Sequence, residues 1–82
     1  MSKNKQVRPL SAIAKEIQSD WGSKVYFGAR PYLDAMRQLN SIEDNFYGDT
    51  AVSVVAYFLS NARTWKGDVA RRVKKELNQI LK

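Results

Sequence analysis

A chain of this kind draws its chemistry from titratable and polar side chains, and two of the most useful types are absent. The sequence has no histidine and no cysteine. That removes the commonest general base, the strongest nucleophile and the soft metal ligands. Carboxylates remain, and their one cluster is Glu43, Asp44 and Asp49, around Asn45 and Gly48. Oxygen ligands suit a hard cation, but a calcium-binding loop needs acids at alternating positions and a terminal glutamate. This cluster lacks that spacing, so Asp49 reads as a helix cap and Glu43-Asp44 as loop solvation. Gly22, Gly28, Gly48 and Gly67 are too scattered to cradle a phosphate, and neither a P-loop nor a dinucleotide motif occurs. The residue types predict no catalysis, no metal and no cofactor.

What is left is positive charge, and it is unevenly placed. Residues 1–10 carry Lys3, Lys5 and Arg8 with no acid, whereas residues 11–60 carry four basic and six acidic side chains. Residues 61–82 carry seven basic and two acidic, so most of the net charge of +6 sits in the last quarter of the chain. On a helical wheel Trp65, Val69, Ala70, Val73, Leu77, Ile80 and Leu81 share one face. Arg71, Lys75 and Lys82 line the opposite face, flanked by Arg72 and Lys74. With Arg63 and Lys66 near the helix start, the stripe Arg63, Lys66, Arg71, Lys74, Lys75 and Lys82 is the candidate binding surface. Such charge suits phosphate, an acidic lipid surface or an acidic protein patch. The stripe is also what the solvated side of an ordinary amphipathic helix looks like.

The elements that must position this stripe follow from periodicity and breakers. Residues 1–8 read as a flexible basic arm, and 9–82 as one helical domain. Pro9 suits a first turn, and Leu10, Ile13, Ala14, Ile17 and Trp21 recur at helical spacing until Gly22 stops them. Lys24-Val-Tyr-Phe27 reads as a short apolar connector ending at Gly28. A second helix, about 30–39, buries Leu33 and Met36. Ile42, Phe46 and Tyr47 pin the loop that follows to the core. Asp49 or Thr50 caps a third helix, about 50–62, with no charge between Ala51 and Asn61. A helix apolar nearly all round belongs inside, so the third helix is expected to be buried and central. Thr64 is expected to cap a fourth helix, about 65–81, with Asp68 facing the helix dipole. Asp68 with Arg72, and Arg72 with Glu76, are spaced as pairs within that helix. The fold class expected is all-α, a compact single domain of about four helices.

Two further readings point toward nucleic acid. Ser11-Ala-Ile-Ala-Lys-Glu-Ile17 echoes the positioning helix of a helix-turn-helix, but the tight turn into a recognition helix is missing, because Trp21 to Gly28 intervene. The nine aromatics invite base stacking, which needs exposed rings among Lys and Arg. Most of them fall on expected core faces, leaving Tyr26, Tyr32 and Tyr47 as the ones expected to be partly exposed.

The words of the sequence carry one resemblance. Trp21, Tyr26-Phe-Gly-Ala29, Pro31-Tyr-Leu33, Leu39-Asn-Ser-Ile42, Tyr57-Phe-Leu-Ser-Asn-Ala62, Thr64-Trp-Lys-Gly67 and Ala70-Arg-Arg-Val-Lys74 resemble a family of short accessory proteins. These are encoded by phages, prophages and mobile elements of Gram-positive bacteria. The resemblance spans nearly the whole chain after residue 8 and implies a cytoplasmic, accessory role. No activity comes with it, and no residue role is transferred. The start has no apolar leader region and no run is long enough to span a bilayer, so no membrane association is expected. The resulting expectation is a non-enzymatic protein that binds nucleic acid through the basic C-terminal helix. The alternative is a modulator or inhibitor of a host or defence enzyme, where the same face meets an acidic protein surface. A homo-oligomer built on Tyr26, Phe27 and Phe46 is a third option.

Overall fold

The structure, a computed structural model, describes residues 8–46 and 48–82, and of Phe46 the backbone alone. Lys3 and Lys5 of the expected arm, Tyr47 and the Phe46 side chain therefore lie outside the described residues. Pro9 precedes helix α1 (Leu10–Trp21), its φ of −62° matching the ring's own preference. The first helical amides have no partner within the helix. Leu10 N–H donates to the Asn40 carbonyl (2.9 Å) and Ser11 N–H to that of Leu39 (2.8 Å), so the chain leaving α2 caps α1. Leu10, Ile13, Ala14, Ile17 and Trp21 are buried, as their spacing predicts. Gly22 ends the helix at a φ of 63°, where a side chain is disfavoured.

A single 3-10 turn, Gly22–Lys24, leads to helix α2 (Arg30–Met36), which carries Pro31 in its first turn. Only part of the apolar connector enters the core. Val25 and Ala29 are buried and anchor it at both ends, while Tyr26 and Phe27 stay exposed. Helix α2 closes three residues before the expected end, and Leu39 then turns into the core. A two-residue ribbon, β1 (Asn45–Phe46) with β2 (Asp49–Thr50), pairs antiparallel with Asn45 opposite Thr50.

Helix α3 (Ala51–Ser60) is capped by Thr50, whose hydroxyl accepts the Ser53 N–H at 3.1 Å. Asp49 is not the cap; it sits in β2. The expectation of a helix buried all round is met on one face. Ala51, Val54, Val55 and Phe58 enter the core between α2 and α4, while Val52 and Tyr57 on the outer face are about half exposed. Lack of charge removes the penalty for burial but supplies no partner to cover the second face.

Helix α4 (Asp68–Leu81) begins later than its pattern suggests, and Thr64 does not cap it. Gly67 takes a φ of 112° with ψ of −179°, a conformation that no helical residue adopts. In the segment ahead of α4 the Trp65 ring lies flat on Trp21, with centroids 5.6 Å apart and planes 16° off parallel. Phe58 meets both indoles edge-on. Trp65 Nε1–H donates to Asp20 Oδ2 at 2.8 Å, so the indole satisfies its one donor at the rim of the core. Ala70, Val73 and Leu77 complete the core, and Val69, Ile80 and Leu81 pack at its edge.

Across the seam between α1 and α4, charge pairing departs from the spacing rule. Arg72 pairs with Glu16 of α1, and Arg8 reaches Glu76 with two bonds of 2.7 and 3.0 Å. Neither of the pairs expected within α4 forms. Asp68 takes Arg71 instead, one turn on, at 3.4 Å. Arg8 is thus part of the domain. Glu76, first, and Glu16 raise its pKa above the ordinary arginine range.

Candidate functional site

The connection from α3 to α4 runs past the turn after α1, and three clefts meet along it. The first, of about 240 Å³, lies between Tyr26, Asn61, Arg63 and Thr64. The second, about 530 Å³, shares Thr64 and adds Lys24, Asp20 and Lys66. The third, about 310 Å³, shares Trp65 and Lys66 with the second and ends at Arg71 and Lys74. The clefts adjoin through these shared residues, and the line of them, hereafter the groove, is lined by Lys24, Arg63, Lys66, Arg71 and Lys74.

Its negative charge is sparse and already engaged. The Asp20 carboxylate accepts the Trp65 indole N–H, and Asp68 beside the groove faces Arg71. Both side chains of that second pair are largely in water, where such a contact holds little. Lys24, Arg63 and Lys66 form no ion pair among the described residues.

Lys74 departs from its expected place. Its ammonium donates to the Trp65 carbonyl at 2.7 Å, and its Nζ stands 5.9 Å from the Trp65 ring centroid. The Trp65 carbonyl lies ahead of α4 and accepts no helical amide, and Lys74, nearly two turns into the helix, is the donor in reach. Burial, first, and the neighbouring Lys66 ammonium hold the Lys74 pKa below the ordinary lysine range. Lys66 and Lys74 both line the third cleft. An anion in the groove would relieve the repulsion between them.

Of the six residues expected to bind, Arg63, Lys66, Arg71 and Lys74 are brought into the groove. Lys75 and Lys82 are exposed on the outer side of α4 and do not line it. Lys24 was missed by the sequence reading. It precedes the site by about forty residues, and only the packing of Trp21 on Trp65 carries its turn to the α3–α4 connection. Tyr26-Phe27, between Lys24 and Arg30, is a local signal that could have drawn attention to this end of the groove.

The acidic cluster is spent on its own loop. Asp44 Oδ2 accepts the amides of Asn40 and Ser41, each at 3.0 Å, and these bonds, Ser41 first, hold its carboxyl below the usual range. Among the described residues, no three acids converge in a way that could hold a metal ion. Among them, too, no helix is long and apolar enough to cross a membrane. No family model, no curated protein and no solved structure matches the chain, and no residue role enters from a relative.

Proposed function

We propose that this chain is a non-enzymatic accessory protein of a phage or related mobile element that binds nucleic acid, with little sequence preference, through the groove between Arg63 and Lys74. One observation carries this reading. Cations separated in sequence, Lys24, Arg63, Lys66, Arg71 and Lys74, line adjoining clefts, and three of them, Lys24, Arg63 and Lys66, form no ion pair among the described residues. A phosphate backbone supplies negative charge at short, regular intervals and asks for nothing else, so contacts of this kind position a strand without reading its bases.

Fluorescence anisotropy with a short duplex at rising salt tests the reading. The parent should bind at low salt, and each phosphate contact adds about 0.9 to the slope of log K against log salt. Joint Lys66→Glu and Arg71→Glu should abolish binding. Both side chains are exposed, so stability should move by about 0.5 kcal/mol or less. Absence of binding to any nucleic acid at low salt would end the proposal. A second reading is a protein partner such as a host enzyme, whose acidic patch would meet the same cations; Val52 and Tyr57, uncovered on the outer face of α3, are apolar surface that a protein could cover and a phosphate backbone could not.

A further inference from the structure

We propose that the strand in this groove is single-stranded, with its bases stacked on the rings of Tyr26 and Phe27 at the Arg63 end. The inference rests on the nucleic-acid reading of the groove and names the form of the ligand. Phe27 is 77% exposed and Tyr26 is 44% exposed, and the two rings touch with centroids 5.1 Å apart. Single exposed apolar residues are common, but two adjoining rings, one of which, Tyr26, lines a cleft with Arg63, are a platform.

The turn that carries them is held in place. Val25 and Ala29 are buried on either side, Ala29 N–H donates to the Tyr26 carbonyl at 2.8 Å, and Arg30 N–H donates to that of Phe27 at 3.2 Å. The Tyr26 ring lies across Gly28 so closely that a β-carbon there would come within 2.5 Å of it. Gly28 is thus required by the ring's position, and the ring enters binding already ordered, which lowers the entropic cost of stacking.

The surroundings fit a nucleotide. Arg63 shares a cleft with Tyr26, and Lys24 and Arg30 flank the turn in sequence, all three without an ion pair among the described residues. Asn61, which lines the cleft, donates one amide N–H to the Tyr57 carbonyl at 2.8 Å, and its Oδ1 accepts no hydrogen bond among the described residues. A ring for the base, an amide oxygen for its edge and cations for the phosphates are therefore close together. Duplex bases are already stacked on each other and cannot use the ring faces. The cations serve either form, whereas the rings serve only the single strand.

The test compares a labelled oligothymidine with a duplex of equal length, using the full chain at low salt. The parent should hold the oligothymidine more tightly. Phe27→Ala should weaken that binding roughly five- to one-hundred-fold, the range for one stacked base, and leave duplex binding unchanged. Phe27→Tyr keeps the ring face and should retain the affinity, which separates stacking from any change in the turn. Equal affinity for both probes, or equal loss of both in Phe27→Ala, would overturn the platform while the groove reading stands. Failure to bind either probe would overturn both. If Phe27→Ala spares the oligothymidine but dissolves a self-association of the chain, the rings belong to a protein contact and the platform is wrong.

Discussion

Replacing Glu16 by glutamine removes the carboxylate on which the α1–α4 seam converges. Glu16 pairs with Arg72 and also with Arg8, whose Nη2 lies 2.8 Å from Oε1. Oε1 is enclosed and meets Arg8 as an ion pair, off the direction of a hydrogen bond. The Glu16 side chain is 27% exposed and that of Arg72 is 56% exposed, so water screens both contacts in part. Exposed pairs contribute about 0.2–1 kcal/mol, and sheltered charge-assisted bonds about 1.5–3 kcal/mol. Two half-sheltered pairs nearer the exposed limit together contribute about 1–2 kcal/mol. In a domain of this size each kcal/mol moves the midpoint by about 4–8 °C, so Glu16→Gln should melt roughly 4–16 °C below the parent.

The pH dependence gives the sharper check. Arg72, first, and then Arg8 hold the Glu16 carboxyl below the usual glutamate range, against an opposing effect of burial. An acid with a lowered folded-state pKa stabilises the fold above its unfolded value of about 4.3. That stabilisation disappears as pH falls through the lower, folded value. Thermal melts followed by far-UV circular dichroism should therefore show a constant gap between parent and variant from about pH 7 to about pH 5. The gap should close on further acidification. Glu43→Gln, at an exposed loop carboxylate without an ion pair among the described residues, serves as control. A gap that survives unchanged into strong acid, or a neutral-pH difference no larger than the control's, would refute the seam as an ionic contact.

Two other perturbations test the architecture. Gly67→Ala forces a β-carbon into a φ of 112° that side chains resist, and should cost roughly 1–3 kcal/mol; an unchanged midpoint would show that the step before α4 can relax. Val55→Asp buries an unpaired charge at a fully enclosed position, in a domain with a total stability of roughly 4–12 kcal/mol, and should leave no cooperative transition; a variant melting near the parent would displace α3 from the core.

Much of the core was legible because a helix records its own buried face. Leu10, Ile13, Ala14, Ile17 and Trp21 repeat at 3.6-residue spacing and are all buried, as are Ala70, Val73 and Leu77 on α4. Gly22 marked the end of α1 because the left-handed step that closes a helix is cheapest for glycine. The same logic failed where a face needed a partner to be interpreted. The uncharged circumference of α3 permits burial on every side, but only the positions of α2 and α4 decide which sides are covered.

Charge shows the division most plainly. The local sequence determined how much positive charge lies between residues 61 and 82, and that much of it turns away from the apolar stripe of α4. It could not determine where each cation ends. Glu16 and Glu76 lie sixty residues apart, yet the docking of α1 on α4 places both near Arg8 and draws Arg72 to Glu16. Lys74 turns inward because the Trp65 carbonyl, ahead of α4, is open to it, and Trp65 is held there by its stack on the Trp21 indole. Lys24 reaches the groove through the same stacked pair. Intrahelical spacing is a property of the chain and can be read from it; pairing across a seam depends on distances that exist only once the helices have packed.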